Sequence, residues 1–279
     1  MYQDSFAGAA KRGFLSLPIA IRTIIAINVV VFILQALLGQ SVNRVLIEWL
    51  AFNPEWSVAI TQPWRFVTYM FLHGSGFHLL FNMLWLWWMG RSVETSLGPR
   101  TFLVLFLGSG IGGAAINVIF SFLMGSSLVI GASGAVFGIM VSFAYLFPRT
   151  PIMLIFFPPI EARFVVAGLI ALDLLFIGSG DNIARAVHLG GAGIGYLLID
   201  AHYKGIDLSS YVRKIESMWQ KPTSGRKKNK NMYSVSDVEI VEETDQTELD
   251  EILEKISKKG YDGLTDEEKK KLFDLSKRN

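Results

Sequence analysis

From Ile19 to Tyr203 the chain is a succession of apolar runs with its charges gathered at the joints, and from Lys204 onward it turns polar and charged. Crossing the hydrocarbon core of a bilayer as a helix takes about 20 apolar residues. Measured against that length, the runs at 19–38, 77–97, 101–124, 132–147, 164–177 and 183–201 predict six transmembrane helices. The fourth and fifth are short, which a bundle tolerates where the adjoining irregular backbone lies against protein rather than lipid. The first does not read as a cleaved leader, because no Ala-x-Ala-like site follows it and further apolar runs do. The pattern predicts an all-α polytopic membrane protein. Its parts are an N-terminal tail at 1–18, a membrane domain at 19–203, a charged linker at 204–246 and a small helical hairpin at 247–279.

Lys and Arg near the ends of the runs set the expected orientation. With the N-terminus inside, the inner joints hold Lys11, Arg12, Arg22, Arg91, Arg100, Arg149, Arg163 and the basic stretch after Tyr203, against Arg44, Arg65 and Arg185 outside. Both termini are therefore expected in the cytoplasm. The outer segment 39–76 is longer than a turn and carries Trp49, Trp56 and Trp64, ring types that suit the membrane interface. In the tail, Lys204, Arg213, Lys214, Lys221, Arg226, Lys227, Lys228 and Lys230 suit contact with anionic headgroups. The stretch 235–250 turns acidic, a composition that predicts disorder. Leu249, Ile252, Leu253 and Ile256 then recur at helical spacing up to Gly260. Thr265 with Glu268 forms a capping box before Leu272, Phe273 and Leu275. A hairpin this small is short of core and invites a partner or a docking surface.

Composition sharpens the picture in two places. The 279 residues are 51% hydrophobic with 20 Phe and 7 Trp, and the mean hydropathy is +0.40. The net charge of +2 is uninformative, because the sign is local. Zero cysteines exclude disulfides, thiolate metal sites and a cysteine nucleophile. Four scattered histidines without a His-Glu-x-x-His pattern imply no metal, and nothing implies a cofactor or a nucleic-acid partner.

Polar side chains are costly inside apolar runs and mark candidate chemistry. Ser133 stands in Gly131-Ala132-Ser133-Gly134 at the start of the fourth run, and His188 stands shortly into the sixth. In the expected topology both runs go from outside to inside. At about 1.5 Å of rise per residue, both side chains lie within roughly two turns of the outer surface. Gly134 with Gly138, and Gly191 with Gly195, form Gly-x-x-x-Gly patterns that let helix backbones approach closely in lipid. A serine can reach an imidazole only across such an approach. Ser133 also opens a helix, where unpaired N–H groups and the helix dipole favour an oxyanion. His78 and Asn82, an i, i+4 pair near the outer end of the second run, add two further donors.

In these residues the chain resembles the rhomboid intramembrane serine proteases. The shared features are Trp64-Arg65 in the outer loop, His73-x4-His78-x3-Asn82, Gly131-Ala132-Ser133-Gly134, and His188-x2-Gly191-x3-Gly195, in order, over residues 19–202. The resemblance implies a six-helix rhomboid bundle and a Ser-His dyad. Ser133 is then the nucleophile, His188 the general base, and His78, Asn82 and the Ser133 N–H the oxyanion stabilisers. Phe137 falls where many relatives have a tyrosine stacked on the histidine, so the ring is kept and the hydroxyl lost. The substrates implied are transmembrane helices of membrane proteins, cut near the outer side after local unwinding. A water-filled cavity, walled by the second and fifth runs, is expected to reach the site. The competing class is a catalytically inactive rhomboid relative that binds or chaperones membrane proteins. Such relatives typically lack the serine or the histidine, and both are present here. A transporter ranks third, since no inverted repeat with paired broken helices is evident. An N-terminal segment without Arg- and Ser-rich character favours a bacterial plasma membrane over an organelle.

Four polar residues remain. His73 is expected in the loop or at the entrance, and His202 at the membrane edge. Gly178-Ser179-Gly180-Asp181 matches the Gly-x-Gly-Asp pattern of aspartyl proteases, but it has no partner aspartate at matching depth and reads as a turn with a cap at Asp181 or Asn182. Asp173, an acid inside the fifth run, has three roles open to it: orienting a neighbouring helix, lining a water pocket, or completing a triad with His188. The implied dyad favours the structural role.

Overall fold

The computed structural model describes residues 6–124, 127–153, 158–177, 182–219 and 252–270. The chain separates into two compact units, Met1–Gln220 and Lys221–Asn279.

In the first unit, α1 (Phe6–Leu15) precedes α2 (Ile19–Leu37), which starts directly after Pro18. Proline suits a helix entrance, where its missing N–H is not required. In the first turn, the N–H groups of Ala20 and Ile21 donate at 2.8 Å each to the two carboxylate oxygens of Glu94. The segment 39–76 folds into α3 (Gly39–Leu50), α4 (Trp56–Thr61) and α5 (Arg65–Thr68), followed by a 3₁₀ turn at Tyr69–Phe71. Arg65, 5% exposed, ties these pieces together by donating from Nη1 to the Ala51 carbonyl at 2.6 Å. Thr68 Oγ1 donates to the Leu50 carbonyl at 2.7 Å. Trp49, Trp56 and Trp64 are exposed.

Ser75 caps α6 (Gly76–Trp85), its Oγ accepting from the His78 N–H at 3.1 Å. A π-helical turn at Leu86–Gly90 leads into α7 (Arg91–Met124). Gly98, at φ 78° and ψ 163°, breaks the α7 path just before Pro99, where a helical N–H would be missing. After α8 (Ser133–Leu146) come β1 (Pro151–Ile152) and β2 (Ile160–Glu161), then α9 (Ala162–Leu175), α10 (Asn182–Tyr203) and α11 (Ser209–Trp219). Helices thus overlie each of the six apolar runs. Two stretches, Ile19–Leu37 and Gly76–Ser121, are long and apolar enough to cross a membrane by length and composition.

The centre of this unit is the packing of α7, α8 and α10, with Phe52, Tyr69, Met70, Leu86, Phe102, Phe106 and Ile139 fully or almost fully buried around it. On the outside, Val30, Leu37, Phe77, Ile119, Phe164, Leu172, Leu175 and Leu197 are all at least half exposed. Apolar surface spread over so many helices suits hydrocarbon rather than water.

Two expectations need correction. The fold is not purely helical: β1 and β2 pair antiparallel, Pro151 opposite Glu161. Pro151 and Pro159 bias the residues before them toward extended backbone, which favours a strand pair over a helical turn. The segment expected to be a charged linker, 204–246, contains α11. Its start is organised by Asp207, whose Oδ1 accepts from Ser209 Oγ at 2.7 Å and whose Oδ2 pairs with Arg213. Those contacts hold the Asp207 carboxyl down to about 2, the Ser209 hydroxyl contributing most. Glu216 on α11 pairs with Arg100 on α7 at 3.0 Å.

In the second unit the described residues form a helix at 252–259 that ends at Gly260, φ 73°. The Thr265 N–H donates to Glu268 Oε2 at 2.9 Å and the Glu268 N–H to Thr265 Oγ1 at 3.4 Å, a capping box that opens the helix at 266–270. Glu268 also pairs with Lys255, and that partner, followed by the Thr265 N–H, holds its carboxyl at about 2. Leu249, Leu272, Phe273, Leu275, most of the basic stretch and the acidic segment 235–250 lie outside the described residues, as does the turn Gly178–Asp181.

Candidate active site

Ser133 is the first residue of α8, so its N–H has no helical acceptor upstream. The residues before it are bent into place by Gly131, at φ +121°, a conformation that strains any side chain. The Gly131 N–H donates to the Tyr69 carbonyl at 2.9 Å. Tyr69 is fully buried and donates from its hydroxyl to the Gly110 carbonyl at 2.9 Å. Burial pushes the Tyr69 phenol up and keeps it a donor. A Cβ on Gly131 would lie 2.6 Å from Cε1 and Nε2 of His78, so the glycine also makes room for that ring.

His188 reaches Ser133 because α8 and α10 touch backbone to backbone. A Cβ on Gly191 would collide with the Gly134 carbonyl, and one on Gly195 with Gly138 Cα. A Cβ on Gly134 would meet Val187 Cγ1 at 2.7 Å. Across this seam His188 Nε2 lies 2.7 Å from Ser133 Oγ, within hydrogen-bond distance. Phe137, one turn along α8, stacks on the imidazole with centroids 4.7 Å apart and planes 10° apart. The other edge of the ring meets Asp173 of α9, whose Oδ2 lies 2.8 Å from Nδ1. The side chains of His188 and Asp173 are each 20% exposed.

A cavity of about 510 Å³ opens over the serine, lined by Ser133, His188, His78 and Asn82, with Phe81 and Trp85 of α6, Met140 of α8 and Leu169 of α9. The second and fifth apolar runs therefore supply part of its wall. Asn82 Nδ2 donates to the His78 carbonyl at 2.9 Å, which holds the amide on the α6 face while its second hydrogen stays unused by that bond. The structure thus gathers Ser133, His188, His78, Asn82 and Phe137 at one cavity.

His73 lies in the loop before α6, as expected, but is buried there rather than at an entrance. It is 2% exposed, its ring nitrogens have no hydrogen-bond partner among the described residues, and it meets His78 edge-on at 5.0 Å between centroids. Burial, then the neighbouring His78, hold its imidazole down to about 4, so it is neutral. His202 sits in the last turn of α10, its Nδ1 3.2 Å from the Ile206 carbonyl.

Of the three roles the sequence leaves open for Asp173, with the structural one favoured, the geometry brings it to His188: it is hydrogen-bonded to the candidate base. The signal was present: Ala162, Val166, Leu169 and Asp173 recur at i, i+4, i+7 and i+11, one helical stripe, and the first two are buried. An acid ending the buried stripe of α9 points at whatever α9 packs against, and that includes α10.

A family model described as the Rhomboid domain matches residues 61–204, and one described as a family of unknown function (DUF6576) matches residues 242–278. The chain is similar to the rhomboid protease GlpG of Serratia proteamaculans, 33% identical over 177 residues, 63% of this chain and 59% of the relative. It is similar to GlpG of Yersinia pestis (strain Pestoides F), 33% identical over 183 residues, 63% of this chain and 60% of the relative. Rhomboid protein 1, mitochondrial, of Saccharomyces cerevisiae is 36% identical over 146 residues, 50% of this chain and 41% of the relative. The matched segments span less than two thirds of each of these relatives.

Proposed function

The chain belongs to the rhomboid family, whose members are embedded in membranes, and from that premise we propose that it is an intramembrane serine endopeptidase. The observation that carries the reading is Ser133 Oγ at 2.7 Å from His188 Nε2, at a helix N-terminus, under a cavity shared with His78 and Asn82. Ser133 Oγ attacks the scissile carbonyl carbon while His188 Nε2 takes its proton. The carbonyl oxygen becomes an oxyanion, met by the Ser133 N–H, the His78 ring and the Asn82 amide. Collapse breaks the C–N bond, and His188 returns the proton to the leaving amine. A water in the cavity then attacks the acyl-serine with His188 again as base, releasing the acid and restoring the hydroxyl.

In this reading all six helical runs cross a plasma membrane, with both termini in the cytoplasm and Ser133 near the outer surface. The substrate is a transmembrane segment of another membrane protein. A helical peptide bond hides its carbonyl, so residues that weaken a helix lower the cost of presenting it. Lipids border the exposed apolar faces, and the hairpin around 247–279 is a candidate docking element.

The test is labelling of the full-length, detergent-solubilised protein by a fluorophosphonate probe. Wild type is expected to label, and Ser133→Ala and His188→Ala to lose labelling by about 10³-fold or more. A folded wild type that stays unlabelled in several lipids would favour the inactive, binding-only relative.

A further inference from the structure

We propose that Asp173 is a positioning residue of this site, fixing His188 in the orientation and tautomer that present a lone pair to Ser133. The inference rests on the peptidase reading above and goes beyond the dyad that the family resemblance implies. Phe137 stacked at 10° fixes the plane of the imidazole, but stacking alone is indifferent to a half-turn about the Cβ–Cγ bond, which returns the ring to the same plane. Such a flip exchanges Nδ1 with a carbon and carries Nε2 away from the serine. A carboxylate oxygen 2.8 Å from Nδ1 breaks the tie, because it accepts a hydrogen bond only from a nitrogen that carries hydrogen. With the hydrogen on Nδ1, the neutral ring has its lone pair on Nε2, 2.7 Å from Ser133 Oγ. When Nε2 takes the serine proton, the ring becomes a cation with an anion already in contact.

A purely structural tie between α9 and α10 explains less. Asp173 lies in the last turn of α9, where the helix dipole disfavours a negative charge. It is also an acid in an apolar run, and its hydrogen-bond partner among the described residues is the one histidine that touches the serine. An amide or a hydroxyl would join two helices at less cost. Among the described residues, the titratable groups facing the His188 ring are Asp173 from α9 and His78 from α6, with Ser133 from α8. Of these, only Asp173 meets Nδ1.

Asp173→Asn keeps the shape and removes the obligate acceptor, since its amide can offer hydrogen to Nδ1 and favour the wrong tautomer. Fluorophosphonate labelling of the full-length protein separates the maximal rate from the half-saturating probe concentration. Asp173→Asn is expected to lower the first by about 10²-fold or more and to leave the second within about threefold. Asp173→Glu is expected to recover part of the rate. Labelling of Asp173→Asn within about threefold of wild type would overturn the inference while leaving the peptidase reading intact, provided Ser133→Ala stays silent. Undiminished labelling of Ser133→Ala would remove both. Should Asp173→Asn fail to fold, ¹⁵N spectra of wild-type histidines decide, with His188 assigned by its loss in His188→Ala. A Nδ1–H tautomer with a low-field proton is expected, and a Nε2–H tautomer would overturn the inference.

Discussion

At His73 the protein keeps a neutral imidazole in a place that gives its ring nitrogens no partner among the described residues. Protonating it there means burying a cation beside another imidazole, which is why burial and His78 lower its pKa from 6.5 to about 4. The unfolded chain binds that proton more readily than the folded one. Stability contributed by the neutral ring is therefore complete above pH 6.5 and is lost as pH falls from 6.5 toward 4, by up to about 1.4 kcal/mol per pH unit. Melting curves of the purified protein across that window are expected to shift downward with acid, and those of His73→Leu to shift less. Equal shifts would mean that other groups carry the acid sensitivity. Residues of this kind divide by how visible they are in sequence. Ser133, His188, His78 and Asn82 stood out because a polar atom in an apolar run asks for a reason. The burial of His73 did not, since it depends on distant partners: Gln35 of α2 on its N–H and His78 of α6 against its ring. Asp173 was visible as an anomaly, but depth along a helix says nothing about its rotation, and rotation decides which neighbour an acid meets.

Between elements, the decisive contact is the glycine seam of α8 and α10. It sets the helix separation, and the separation sets the distance between Ser133 and His188. A methyl at position 195 would have to displace Gly138 Cα, a backbone atom that cannot rotate away. Gly195→Ala is expected to cost about 1–3 kcal/mol of stability and to slow fluorophosphonate labelling in the protein that remains folded. Gly193→Ala is the control. Its Cβ meets nothing within 4 Å, and an alanine there favours the helix, so labelling and melting should match wild type. If both variants behaved alike, close approach would not be what aligns the pair. The positions of α2, α6, α8, α9 and α10 were legible because each lies on an apolar run of the sequence bounded by polar joints. The short helices between residues 39 and 76 were not, because their stability is tertiary: Arg65 on the Ala51 carbonyl, and Trp64 Nε1 donating to the Trp49 carbonyl at 3.1 Å. Polar α11 escaped for the opposite reason, since a charged surface helix and a charged linker have similar composition.

Across the whole chain, two units answer to two different family descriptions: the Rhomboid domain at 61–204, and the family of unknown function at 242–278. Every group assigned to the chemistry lies in Met1–Gln220, as do Glu94 capping α2 and the Arg100–Glu216 pair that joins α7 to α11. Cutting after Gln220 removes none of these contacts, whereas cutting after Tyr203 removes α11 and leaves Arg100 without Glu216. A chain ending at Gln220 is therefore expected to melt within a few degrees of the full-length protein and to label with fluorophosphonate at a similar rate. The exposed Arg100–Glu216 pair contributes little by itself, about 0–1 kcal/mol. Ending the chain at Tyr203 should still lower the melting point further, because the buried Leu208 is lost with the helix. A truncation at Gln220 that folded but labelled far more slowly would place residues 221–279 among the determinants of catalysis. Unchanged labelling would direct the search for their role to substrate delivery or partner binding, where cleavage of a membrane-protein substrate in lipid vesicles can register a difference that a small soluble probe does not.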